Sequence, residues 1–119
     1  MSEEEELPPQ IQEQLLRLQQ MEQTLQAIVT QKQQLELELA EAEKAISELE
    51  KIDDKVAVYK SVGSILLQSD RQTLLNELKE RKELLNTRVT VLSKQEERTR
   101  AKIKEVQLKL QERLKSSPP

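Results

Sequence analysis

The side chains that most often carry chemistry are nearly absent from this sequence. It has no Cys, His, Trp or Phe, and its one aromatic is Tyr59. Without thiols or imidazoles there is no soft metal site, no thiol nucleophile and no histidine general base. Carboxylates are plentiful, but Glu36, Glu43 and Glu50 recur at every seventh residue, the spacing of a solvated helix face. A single glycine, Gly63, cannot build a glycine-rich phosphate loop. Neither catalysis nor a cofactor is expected. The basic cluster Arg98, Arg100, Lys102 and Lys104 could be offered to nucleic acid. No aromatics interleave with it to stack bases, however, and an acidic segment earlier in the chain would neutralise much of its field. What remains is the chemistry of association between surfaces.

The elements that must position those surfaces follow from composition. The chain has 119 residues, 35% hydrophobic and 34% charged, and 20 Leu, 19 Glu, 15 Gln and 12 Lys dominate it. Length suggests one domain, but a compact core usually draws much of its volume from aromatics. This vocabulary belongs to long helices and coiled coils. With no disulfides, a cytoplasmic home is allowed. No apolar run approaches the ~20 residues of a membrane span, and the start (Ser2, then Glu3 to Glu6) is acidic where a signal peptide would be basic.

Pro8 and Pro9 can open a helix but cannot sit inside one. From Gln10 to Ile52 there is neither Gly nor Pro. An apolar repeat with spacings alternating three and four runs through Ile11, Gln14, Leu18, Met21, Leu25, Ile28, Lys32, Leu35, Leu39, Ala42, Ile46 and Leu49, a coiled-coil seam. A second helix is expected over 70–115, capped by Asp70 and ended by the Ser/Pro tail 116–119. Its seam reads Leu75, Leu78, Lys82, Leu85, Val89, Leu92, Glu96, Thr99, Ile103, Val106, Leu110 and Arg113. Laid antiparallel, the two lists place Leu49 opposite Leu75 and Ile11 opposite Arg113. A slip of one heptad keeps the phase, so it is the short connection that sets the register. Residues 1–52 carry 12 acidic and 4 basic side chains, and residues 70–119 carry 8 acidic and 13 basic. The expectation is a helical hairpin of two arms with opposite charge.

Residues 53–69 change character. Val56 to Val62 is rich in β-branched residues, Gly63-Ser64 follows, and Ile65-Leu66-Leu67-Gln68 comes next. Two strand-like runs joined by a Gly-Ser pair predict a β-hairpin rather than a floppy or helical connector. A two-stranded ribbon is marginal in water by itself. It is expected to display Val56, Val58, Tyr59, Val62, Ile65 and Leu67 beside two unpaired edges. Such an element should complete its sheet with other chains, so the hairpin is the candidate oligomerisation site, with Gly63 at its turn.

A helix, then Val58-Tyr59-Lys60, Val62-Gly63 and Ile65-Leu66-Leu67, then a second helix bearing Leu78, Arg81, Leu85, Arg88, Leu92 and Lys94-Gln95-Glu96, resembles the prefoldin (GimC) family. The resemblance covers the chain apart from its acidic start and Ser/Pro tail. One β-hairpin rather than two resembles the β type, and the absence of a eukaryote-like extension resembles the archaeal form. It implies a single prefoldin-like domain over 1–119. The fold is mainly α, a long antiparallel coiled coil whose β-hairpin joins an oligomeric β-barrel. It also implies a hexamer of two α and four β subunits, with a prefoldin α subunit and other β subunits as partners. Unfolded polypeptides are then held at the coiled-coil tips and delivered without ATP to a group II chaperonin, with no part for nucleic acid or membrane.

The tips carry leucines beyond those of the seam. Leu7, Leu15 and Leu16 accompany Ile11 and Leu18 on the first arm, and Leu108 and Leu114 accompany Val106 and Leu110 on the second. These nine are the candidate client-binding residues. The bland reading is that Leu7, Leu15 and Leu16 cap the coiled coil or join a neighbouring helix. The rival for the whole chain is a structural coiled-coil tether or scaffold without client binding.

Overall fold

A computed structural model describes residues 7–116. The elements are α1 (Pro9–Glu50), β1 (Val58–Val62), β2 (Ile65–Ser69) and α2 (Arg71–Ser116). The acidic start and the last residues of the Ser/Pro tail lie outside the described residues. The chain divides into two compact units, residues 32–91 and residues up to 31 together with those from 92 onward. The first is called here the hairpin unit and the second the terminal unit.

Each helix boundary has a local cause. Pro9 takes the first helical position, where a missing N–H costs nothing. The Pro8 carbonyl accepts from the N–H groups of Ile11 and Gln12, both at 3.0 Å. The Gln12 side chain donates back to the Leu7 carbonyl at 2.7 Å. The first helix stops at Glu50, two residues short of the expected Ile52. Asp53 is the reason: its carboxylate accepts from the Lys55 N–H at 2.7 Å, and its carbonyl accepts from the Val56 N–H at 3.1 Å. This side-chain turn competes with continued helix.

The second helix opens on Asp70. The Thr73 N–H donates to Asp70 Oδ1 at 2.9 Å and the Thr73 hydroxyl to Oδ2 at 2.7 Å. Both bonds favour the charged carboxylate, so Asp70 is held below the usual carboxylate range, chiefly by the Thr73 N–H and then by its hydroxyl. A depressed carboxylate adds stability in full above the ordinary aspartate range and loses it as pH falls through the lowered value. Asp70→Asn retains a capping oxygen but does not titrate. It should flatten the acid limb of Tm plotted against pH between about 5 and 2, a scan that circular dichroism can follow.

The seam expected from the heptads is where the protein is buried. In the hairpin unit Leu35, Ala42, Ile46, Leu49, Leu75 and Leu85 are buried, with Leu85 the most enclosed. In the terminal unit Ile11, Leu92, Ile103 and Leu110 are buried. The other seam positions are half-buried, except Arg113, which is exposed.

The register also agrees with the antiparallel alignment. Lys82, aligned with Ala42, has its Nζ 3.7 Å from the carboxylate of neighbouring Glu43. Arg113, aligned with Ile11, donates to the Gln10 side chain at 3.0 Å. A slip of one heptad would put Lys82 against Leu35 or Leu49 instead. Arg81 pairs with Glu38 at 3.1 Å, an acidic-arm to basic-arm pair of the expected kind. These ion pairs are solvent-exposed, and each contributes only ~0–1 kcal/mol. They discriminate against wrong registers more than they stabilise the right one.

The strands are shorter than the β-rich run suggested. Val56 sits in a bend and Ala57 outside any strand, and β1 begins at Val58. The pairing is antiparallel, Val58 with Ser69 through Val62 with Ile65, which leaves a two-residue loop of Gly63 and Ser64. Gly63 has φ +59° and no other described residue has positive φ, the pattern of a turn with glycine at its first central position. A Cβ at Gly63 would meet nothing within 4 Å, so the cost of Gly63→Ala is purely backbone. A loss of about 1 kcal/mol is expected, read as a lower urea midpoint at unchanged slope.

Candidate functional site: the hairpin and the helix ends

The β-hairpin is attached to its helices by a small core and two polar ties. Val58 is 9% exposed and packs with Ile46, Leu49 and Leu75, with Ile52, Leu74 and Leu78 around them. Arg71 Nε donates to the Leu49 carbonyl at 2.7 Å, satisfying a terminal carbonyl of α1, while Nη1 reaches Asp54 at 3.1 Å. Lys60 Nζ lies 2.9 Å from Glu77 Oε2. Val58 therefore corrects the sequence reading. It was expected on display, yet it is the first residue of β1 and turns into the junction of the two helices.

The rest of the ribbon is uncovered. Alternation puts Val58, Lys60, Val62, Ile65, Leu67 and Ser69 on one face and Tyr59, Ser61, Leu66 and Gln68 on the other. Tyr59, Val62, Ile65 and Leu67 are all exposed, as is Val56 ahead of the strand, and Leu66 at 70% is the most exposed large apolar residue among those described. Leu66 is the residue that sequence reasoning missed. The signal was present, because three consecutive apolar residues must place apolar groups on both faces of a strand. With Val62 and Ile65 closing the loop, Lys60–Leu67 and Val58–Ser69 are the other hydrogen-bonded pairs. Tyr59 and Ser61 on one strand, and Leu66 and Gln68 on the other, then aim their backbone groups off the edges. Both edges therefore carry backbone groups free to pair with further strands, and both faces carry exposed apolar side chains.

Beside β1 runs a groove of about 850 Å³. Leu49, Leu74, Leu78 and Leu84 are among its apolar lining residues, with Glu77 and Arg81 among its polar members. Leu74 and Leu84 lie off the seam, which is why the heptad pattern did not single them out.

In the terminal unit the nine candidate tip residues fall into three groups. Leu7, Leu15, Leu16, Leu108 and Leu114 are exposed, Leu18 and Val106 are half-buried, and Ile11 and Leu110 are buried in the seam. Counted from the seam, Leu15 and Leu114 flank it on one side. Leu16 and Leu108, at 56% and 52% exposure, sit on the backs of their helices. The apolar surface is thus a collar around the helix ends rather than one widened stripe.

Two antiparallel helices joined by an uncovered two-stranded ribbon, with exposed leucines near their ends, define a coiled-coil hairpin protein with apolar surface left uncovered. Its relatives give the family. A family model described as "Prefoldin subunit" matches residues 12–117. Prefoldin subunit beta of Methanothrix thermoacetophila is 51% identical over 114 residues, covering 96% of this chain and 95% of that one. The Archaeoglobus fulgidus protein of the same name is 45% identical over 106 residues, 89% of this chain and 91% of its own. The crystal structure of the prefoldin beta subunit from Thermococcus strain KS-1 matches with TM-score 0.84 at 39% identity, covering 96% of this chain and 98% of that one. The chain belongs to the prefoldin family and is a chaperone subunit, not an enzyme. Membership also implies that it assembles into a prefoldin complex. Among the described residues no helix is long and apolar enough to cross a membrane.

Proposed function

We propose that this chain acts in the cytoplasm, as a single prefoldin-like domain, as the β-type subunit of a hexamer of two α and four β chains. The hairpin residues Val56, Tyr59, Val62, Ile65, Leu66 and Leu67, turned by Gly63, join those of neighbouring subunits in a β-barrel, and Val58 anchors the hairpin to its own helices. The helix ends hold unfolded polypeptides through Leu7, Ile11, Leu15, Leu16, Leu18, Val106, Leu108, Leu110 and Leu114. The held chain passes to a group II chaperonin without nucleotide.

The observation that carries client binding is the collar of exposed leucines in the terminal unit. A two-helix seam needs one or two apolar positions per turn, and leucines on the backs of both helices serve no intramolecular packing. Each contact with a client is weak and unspecific, but several arms acting together raise the effective concentration of sites and so the avidity.

The test is a truncation. Removing residues 1–16 and 109–119 should leave the hexamer intact by mass measurement while abolishing suppression of aggregation of a denatured protein without nucleotide. If the truncated hexamer suppresses aggregation as well as the intact one, the helix ends are not the binding site. A tether or scaffold would show no effect on denatured chains in either form.

A further inference from the structure

The ribbon is held to the helices at two points on one of its faces. The first is apolar and lies at its base, where Val58 packs with Ile46, Leu49 and Leu75. Its strand partner Ser69 is half-buried, and every other residue of the two strands is exposed. The second point is polar. Lys60 Nζ donates to Glu77 Oε2 at 2.9 Å, and among the described residues no other side chain of β1 or β2 bonds to a helix. Arg71 fastens the connector instead, through the Leu49 carbonyl and Asp54, neither of which lies in a strand. Lys60 and Glu77 both line the groove beside β1, where open space rather than packed side chains lies between the ribbon and α2. One point of attachment leaves a strip free to swing. Two points on the same face, two residues or about 7 Å apart, fix its direction.

We propose that Lys60 and Glu77 are positioning residues for assembly: their ion pair sets the angle at which the ribbon leaves the helices, so that its edges are offered to neighbouring chains already aimed. The inference rests on the reading of the ribbon as the assembly element. The pair is half-exposed, with the Lys60 side chain at 49% and that of Glu77 at 46%, and such a pair adds little to the stability of the chain itself. Its effect lies in association. A strand that is already aimed loses less orientational freedom when it pairs with another chain. Every copy of the chain in the complex carries the pair, so a small gain per copy multiplies across the assembly. Val62, Ile65, Leu66 and Leu67 supply exposed apolar area for association to bury, and the pair sets where that area points.

The experiment uses the full-length chain with its partner subunits. The concentration at which the complex dissociates on dilution is read by mass measurement, beside the Tm of the chain alone by circular dichroism. Lys60→Glu and Glu77→Lys each set like charges against one another and push the ribbon off α2. Each should raise the dissociation concentration about tenfold, a loss of a few-fold per copy compounded over several copies, with Tm unchanged. Lys60→Glu combined with Glu77→Lys rebuilds the pair in reverse and should return that concentration to within about twofold of the original. Single variants that dissociate at the original concentration overturn the proposal. So does a double variant as weak as the singles, because the loss then comes from contacts each residue makes separately. A fall in Tm that accounts for the lost assembly overturns it as well, because the pair then serves only the chain's own fold.

Leu66→Asp with Leu67→Asp separates this proposal from the reading beneath it. If that variant abolishes assembly while the Lys60 and Glu77 variants leave it unchanged, the ribbon remains the assembly element and only its aiming by the ion pair falls. If the complex keeps its mass with both leucines replaced, the reading of the ribbon falls and the proposal falls with it.

Discussion

Placing aspartate at both Leu66 and Leu67 should leave a helical chain that no longer assembles. Circular dichroism would show undiminished helix, and mass measurement would find no hexamer when the partner subunit is supplied. The reason lies in where the two side chains sit. Both are exposed in the single chain, Leu66 at 70%, so neither aspartate costs intramolecular packing. They point to opposite faces of the ribbon, so both faces acquire a charge. Completing the sheet with other chains would bury those charges without partners, at a cost of several kcal/mol for each fully desolvated group. The uncovered edges would also repel a second ribbon carrying the same substitutions. A hexamer of normal mass would show that the ribbon is not the assembly element.

Val58→Asp, the same chemistry in the paired strand, should behave in the opposite sense. Val58 packs with the apolar side chains of Ile46, Leu49 and Leu75. A carboxylate buried there should destabilise the chain by about 3 kcal/mol or more, with loss of cooperative unfolding before any question of assembly arises. Burial raises the pKa of the introduced carboxyl. The penalty is therefore greatest at neutral pH and shrinks as pH falls and the group protonates. A thermal melt at pH 7 and at pH 4 checks both the size and the sign. An unchanged melt would place Val58 on the exterior, where the β-rich run alone had put it. The contrast is between Val58, buried against its own helices, and Leu66, which they leave exposed.

Much of this was legible in the chain. The seam could be listed residue by residue because a two-helix pair buries a fixed stripe, and almost every position of that stripe is buried or half-buried. Charge asymmetry between the arms pointed to an antiparallel partner within the chain, and Glu38–Arg81 is such a pair. The Gly63 turn followed from the need for one positive φ in a two-residue loop. Local competition escaped the reading. Asp53 ended the first helix early because its own side chain offered the backbone an alternative partner, a choice that helix propensity cannot register. Alternation alone does not single out Leu66, because the apolar run Ile65-Leu66-Leu67 crosses both faces of the strand.

The sequence by itself determined the elements, their order, the seam and the family, since each depends on periodicity, capping or motif along one chain. Only the tertiary structure decided which apolar residues are used up internally. Val58 is consumed by the junction of the helices, Ile11 and Leu110 by the seam, and Leu16, Leu66 and Leu108 are left exposed. The physical reason for that division between buried and exposed is that burial belongs to pairs of surfaces. A leucine's hydrophobicity is written in the sequence, but whether another side chain already covers it is settled when the two helices and the ribbon meet.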